Sequence, residues 1–167
     1  MNVFIIAAIT IDGFIGRSSG HIADWTGKAD KQVFVRITKE AGVVVMGSRT
    51  FATIGRALPG RRTIVYTSNP EKINADGVET TNETPADLLD RLNKEGAKGV
   101  AICGGATIYS LFMDSGLVNE MYLTIVPVLF GQGVPLFDSS LDVKLHLHKS
   151  TPLKDDALLL HYGIEKH

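Results

Sequence analysis

Val43-Val44-Val45-Met46-Gly47-Ser48-Arg49-Thr50-Phe51 passes within one short stretch from an unbroken apolar run, through a glycine, to hydroxyl and guanidinium groups. A continuous run of branched apolar residues suits a strand covered on both faces, as in a parallel sheet under helices, and not the alternation of a half-exposed strand. The glycine ends the strand, and a helix opening near Arg49 and Thr50 would present backbone N–H groups where phosphate can sit. Val100-Ala101-Ile102-Cys103, followed by Gly104-Gly105-Ala106-Thr107 and then Ile108 and Tyr109, repeats the pattern. Each turn by itself reads equally well as a tight strand-to-helix connection, and Gly104-Gly105 lacks the spacing and the ribose-binding acid of a full dinucleotide fingerprint. Together, at the carboxyl ends of neighbouring strands in an open α/β sheet, the two turns point to a dinucleotide.

Outward from these turns, short apolar runs bounded by Gly, Pro or Asn predict strands over 3–9, 42–46, 62–67, 99–103, 120–126, 144–148 and 157–162. Helices are predicted over 28–41, 50–55, 85–95 and 105–114, the third with Thr84 as N-cap, Pro85 in the first turn and Gly96 as its stop. The early strands should be parallel. The last two follow one another without an intervening helix, so they should form an antiparallel pair at the sheet edge. Segments 13–27 and 130–136 are the long connections, rich in Gly and small polar residues, and such loops on a rigid scaffold often carry function.

A chain of 167 residues, 44% hydrophobic and 21% charged, is expected to form one globular domain. Seventeen basic against eighteen acidic residues leave no field strong enough to gather nucleic acid or an anionic membrane, so an anionic ligand has to be met locally. The single Cys103 excludes an intramolecular disulfide, and no Cys/His spacing suggests a metal site. A reducing, cytoplasmic setting is the simplest expectation. The apolar opening, residues 2–10, lacks a basic leader and falls far short of the ~20 residues of a membrane span, so it reads as the first strand.

On the helix beginning near Lys28, Asp30, Phe34, Ile37 and Ala41 fall along one stripe, which sets a carboxylate on the apolar side. Asp30 either caps the helix and answers its dipole, or lies on the floor of a cleft. In the second case burial makes its charge costly unless a ligand offers paired N–H donors, as an aminopyrimidine edge does. Phe34, one turn on, would pack against the flat ring.

At this point the chain resembles the dihydrofolate reductase family. The residues that carry the likeness are Ala7-Ala8, Ile15-Gly16, Trp25, Asp30 and Phe34, then 46–51, 54–62 and Thr67-Ser68-Asn69-Pro70, then Gly104-Gly105, Tyr109 and Tyr122-Leu123-Thr124. The resemblance implies an α/β fold with a central, mostly parallel sheet, an antiparallel C-terminal edge and helices on both faces. It implies reduction of dihydrofolate to tetrahydrofolate with NADPH, in a monomer or homodimer, with a small-molecule folate or pterin as the only partner. Asp30 would bind the pterin and help protonate it, Thr124 would support Asp30, and Trp25 would close the loop over the site. Ala8, Phe34, Ile54 and Leu58 would line the substrate pocket, and Arg61 would hold the glutamate carboxylate. Ala8, Ile15 and Gly16 would lie by the nicotinamide. Gly47, Arg49, Thr50, Thr67 and Ser68, with Cys103, Gly104, Gly105, Ala106, Thr107 and Tyr109, would meet the rest of the cofactor. The family joins the two glycines by a cis peptide.

The chain departs from the family at Asp24, where bacterial members usually have Pro, at Ala106, the third Gly of a triplet, and at Ser48 and Thr107, where basic residues are frequent. These departures bear on NADPH against NADH. The reductase of riboflavin synthesis is the nearest rival, through Thr10-Ile11-Asp12-Gly13 and residues 126–133; Trp25 five places before Asp30, and Leu58-Pro59-Gly60-Arg61, suit a folate pocket better. A non-catalytic nucleotide-binding protein of the same fold is the third reading. Cys103 reads as a small buried residue, Asp12 as a turn former, and His146 and His148 as neighbours on the outer face of a strand.

Overall fold

A computed structural model describes residues 1–166. In chain order it runs β1 (Asn2–Thr10), β2 (Phe14–Gly16), α1 (Lys28–Ala41), β3 (Val43–Gly47), α2 (Ser48–Ile54), β4 (Arg62–Tyr66) and β5 (Val78–Thr81). There follow α3 (Pro85–Lys94), β6 (Gly99–Ile102), α4 (Ala106–Asp114), β7 (Glu120–Val126), β8 (Val134–Pro135), β9 (Leu145–Pro152) and β10 (Leu158–Ile164). Eight strands form one sheet in the order β5-β4-β3-β6-β1-β7-β10-β9. Every pair from β5 to β7 is parallel, and β10 and β9 close the edge antiparallel.

The run 43–46 shows why the sheet needs helices on both faces. Val43 and Val45 join the cluster formed with α3 and α4, through Leu88, Leu92, Ile108 and Phe112, while Val44 and Met46 join the one formed with α1 and α2, through Val33, Ile37, Ala41 and Phe51. Successive side chains of a strand point to opposite faces, so an unbroken apolar run is what two cores require of one strand. Val44, Val45 and Met46 are wholly buried, and each such side chain contributes about 1.5–3 kcal/mol relative to exposure.

The chain leaves β1, crosses by α1 to β3, and later returns to insert β6 between them, so the winding reverses beside β1. That reversal opens a crevice at the carboxyl ends of the strands, the usual ligand position in open α/β sheets. It also makes the two glycine turns neighbours: the Gly47 N–H donates to the Gly104 carbonyl at 2.8 Å, and the Gly104–Gly105 peptide is cis.

The structure adds three strands to those predicted. Val78-Glu79-Thr80-Thr81 carries no apolar run, but its backbone completes β4, and Glu79 is ion-paired with Arg62 on that strand. β2 and β8 lie inside the two long connections and pair with each other, too short for any periodicity to register. The strand predicted at 144–148 begins at Leu145 and continues to Pro152, because antiparallel pairing with β10 sets its length. α2 starts at Ser48, before the predicted Thr50, and α3 has its cap as predicted, with the Thr84 hydroxyl accepting from the Asp87 N–H. Among the described residues no helix is long and apolar enough to cross a membrane, and no group of three His, Cys, Asp or Glu could hold a metal ion.

Candidate active site

A cleft of about 1360 Å³ runs across the carboxyl ends of β1, β3, β4 and β6 and along the first half of α1. Of the residues expected to bind substrate or cofactor, all line it except Thr124, which lies buried on β7 beneath Asp30. Thr124 pairs in register with Ala8 of β1, which brings it under the floor.

α1 begins at Gly27, whose φ of 89° suits glycine, and no side chain caps the helix. Asp30 therefore does not serve as the cap. Burial raises the pKa of its carboxyl group above the ordinary 3.8, against the opposing pull of the Thr124 and Thr26 hydroxyls and of Lys31. Phe34, Ile54 and Leu58 form the apolar wall on this side. At the mouth the Arg61 guanidinium donates from Nη1 to the Thr38 hydroxyl and from Nε to the Pro59 carbonyl, both at 3.0 Å. Partial burial lowers its pKa, yet a guanidinium stays charged at any working pH. An acid on an apolar floor and an oriented cation at the rim can bind a flat, N–H-rich ring bearing an acidic tail.

The other end of the cleft gathers helix N-termini, glycines and a guanidinium, a setting that suits phosphate groups. α4 opens at Gly105 with no side-chain cap, so its first N–H groups are left for a ligand beside Ala106 and Thr107. A Cβ at Gly47 would come within 3.0 Å of Ile108, so this glycine lets β3 and the start of α4 approach closely, whereas one at Gly105 would make only an ordinary contact, 3.5 Å, with the Thr50 hydroxyl. Arg49, Thr67 and Ser68 line the same end. Ala8, Ile15 and Gly16 border the middle of the cleft, where the two ends meet.

Three of the expected contacts play a supporting part. The Tyr109 hydroxyl donates to the Ile6 carbonyl at 2.7 Å and packs under Gly104. The Thr107 hydroxyl donates to Asp138 at 2.9 Å. Cys103 is pushed up to about 12 by burial, which leaves a neutral, unreactive thiol in the wall. Two residues not foreseen also belong here. Tyr66, at the carboxyl end of β4, has a buried hydroxyl without a protein partner and is raised to about 12 by burial and by Glu83. Glu83 borders the end of the cleft lined by Thr67 and Ser68, held ionised by Arg91 at 2.8 Å and by Thr81. The position of Tyr66, last in an apolar run beside β3, was the available signal. Trp25 is half-buried at the cleft, its Nε1 also unpartnered.

The family model described as dihydrofolate reductase matches residues 2–150. The chain belongs to the dihydrofolate reductase family. Membership makes it an oxidoreductase and agrees with dihydrofolate reductase type 3 of Salmonella typhimurium, which is 35% identical over 126 residues, covering 75% of this chain and 72% of that one. The uncharacterized protein YwjB of Bacillus subtilis (strain 168) is 28% identical and covers 93% of both chains. Among solved structures, one described as a riboflavin biosynthesis protein from Shewanella sp. PV-4 superposes with a TM-score of 0.83 over 99% of this chain and 100% of that one, at 23% identity. That likeness concerns the fold, which the family shares with it.

Proposed function

We propose that the protein reduces 7,8-dihydrofolate to tetrahydrofolate with NADPH. The observation that carries this reading is Asp30: an acid in the cleft whose charge burial disfavours and the Thr124 and Thr26 hydroxyls favour, on an otherwise apolar floor. Such a group answers a ring edge that offers an exocyclic amine beside a ring N–H, because the paired donors repay its desolvation. Phe34 and Ile54 would hold the ring flat, and Arg61 would take the acidic tail. The two glycine turns, Arg49, Thr50 and Ser68 would hold the dinucleotide, which when bound supplies the hydride.

Reduction of the C=N bond takes a hydride at carbon and a proton at nitrogen. Asp30 is the acid at the ring, and since it clamps the edge remote from the reacting nitrogen, the proton passes from it through water. Trp25 and segment 13–27 exclude bulk solvent from the two stacked rings, whose alignment is the protein's main contribution to rate.

A riboflavin-pathway pyrimidine is the second reading, favoured by residues 10–13 and 126–133 and by the name of the Shewanella neighbour. A 5-amino-6-ribosylaminouracil also presents a ring N–H beside an exocyclic N–H, which Asp30 can meet, so the two readings are separated by which substrate turns over. Loss of NADPH absorbance on adding dihydrofolate, abolished in Asp30→Asn, is the expected result. Turnover of a phosphoribosylaminouracil-type substrate and none of dihydrofolate would transfer the assignment to the second reading.

A further inference from the structure

Segment 13–27, which covers the cleft, is held by a second loop. The Asp12 carboxylate, in the turn after β1, accepts from the backbone N–H groups of Phe130 at 3.2 Å and Gly131 at 2.7 Å, and from the Thr10 hydroxyl at 2.6 Å. The Ile11 N–H donates to the Val128 carbonyl, and β2 pairs with β8. Gly133 passes so near the Gly16 carbonyl that a Cβ there would overlap the oxygen. These backbone contacts fix the connection after β7 against the loop and deliver one side chain to it.

That side chain is Phe130. The Arg17 guanidinium lies 4.2 Å from the centroid of its ring, Trp25 meets it edge-on at 5.0 Å, and His21 lies at 6.0 Å. Three residues spread along segment 13–27 thus converge on one ring from another segment. Trp25 and His21 line the cleft, whereas Phe130 does not. The contacts are of a kind that orients: an edge-to-face pair and a cation over a ring face, each with a preferred geometry.

We propose that Phe130 is a positioning residue that sets Trp25 over the cleft and holds segment 13–27 closed. Its catalytic consequence rests on the placement of Trp25 beside the bound rings proposed above; its structural consequence does not. Trp25 is the only tryptophan, so its emission and its quenching by acrylamide report the loop with no ligand present. An aromatic pair and a cation–π contact together bias a two-state loop by roughly tenfold. Phe130→Leu keeps the apolar bulk and removes the ring. It is expected to raise the acrylamide quenching constant of Trp25 severalfold and to lower kcat by roughly tenfold, with KM for NADPH changed less than about threefold. Phe130→Tyr restores both quantities, and Phe130→Met substitutes for the leucine variant should that fail to fold. Quenching of Trp25 unchanged in the variant without the ring overturns the proposal, as does a Tyr variant as open as the Leu one. Absence of dihydrofolate turnover in the parent protein counts against the proposed reaction alone and leaves the quenching comparison to decide the role of Phe130.

Discussion

At Asp30 two influences oppose each other: burial drives the carboxyl toward its neutral form, and the hydroxyls of Thr124 and Thr26, with Lys31, favour its charge. Burial wins, so between the ordinary 3.8 and the raised value the folded protein carries more protons than the unfolded chain, and stability falls as pH rises across that window. Asp30→Asn cannot ionise and escapes this fall. Its Tm at neutral pH is therefore expected above that of the parent protein, while kcat/KM for dihydrofolate drops by roughly 10²–10⁴-fold, the share of a positioned acid. Thr124→Val removes a hydroxyl that favours the charge, so the pH above which kcat declines should move upward. Thermal scans and rate profiles across pH check both; an Asp30→Asn protein melting below the parent would show that the carboxyl is not under burial stress.

Among the elements, Gly47 at the end of β3 ties the fold to the site. Its φ of −80° is open to any residue, so space alone requires glycine: an added Cβ would lie 3.0 Å from Ile108 on α4 and 3.8 Å from the Gly104 carbonyl. Gly47→Ala is expected to push back the first turn of α4, to lower Tm by roughly 2–4 °C per kcal/mol of overpacking, and to weaken NADPH binding more than folate binding. Thr84→Ala, which removes the cap of α3 at a cost of about 1 kcal/mol, should lower Tm without separating the two ligands. Melting curves and fluorescence titrations distinguish these outcomes. The sequence made β3, β6 and both glycine turns legible because buried strands need unbroken apolar runs and glycine punctuates them. β5, β2 and β8 were not legible, since their pairing depends on neighbours distant in the chain and not on their own pattern. Asp30 was legible from helical spacing, but its partner Thr124 was reached only through family resemblance, because nothing local in β7 distinguishes that threonine from an ordinary strand residue. Phe130 was legible only as the start of a long connection, for the related reason that its contacts all lie across a loop junction.

For the molecule as a whole, the reversal of winding beside β1 gives one cleft two ends, one on β3, β4 and β6, to which the proposed function assigns the dinucleotide, and one on β1, β7 and α1, to which it assigns the pteridine. The elements around the first belong to both cores, so a ligand there braces Val43–Gly47 and α4 together, whereas a ligand at the second touches α1 and the loop. With a net charge of −1 the protein exerts little long-range pull on an anionic cofactor, and affinity has to come from local N–H groups and Arg49. NADPH at about 100 times its Kd is therefore expected to stabilise the fold by roughly 2.7 kcal/mol, a rise of about 5–11 °C in Tm. Folate added to the NADPH complex should raise Tm further than folate added to the protein alone, because the cofactor's nicotinamide end forms part of the wall the pteridine meets. Scanning calorimetry of the four ligation states tests this. Strictly additive shifts would mean that the two sub-sites act independently across Ala8 and Ile15, and a shift with folate but none with NADPH would remove the dinucleotide from the assigned end of the cleft.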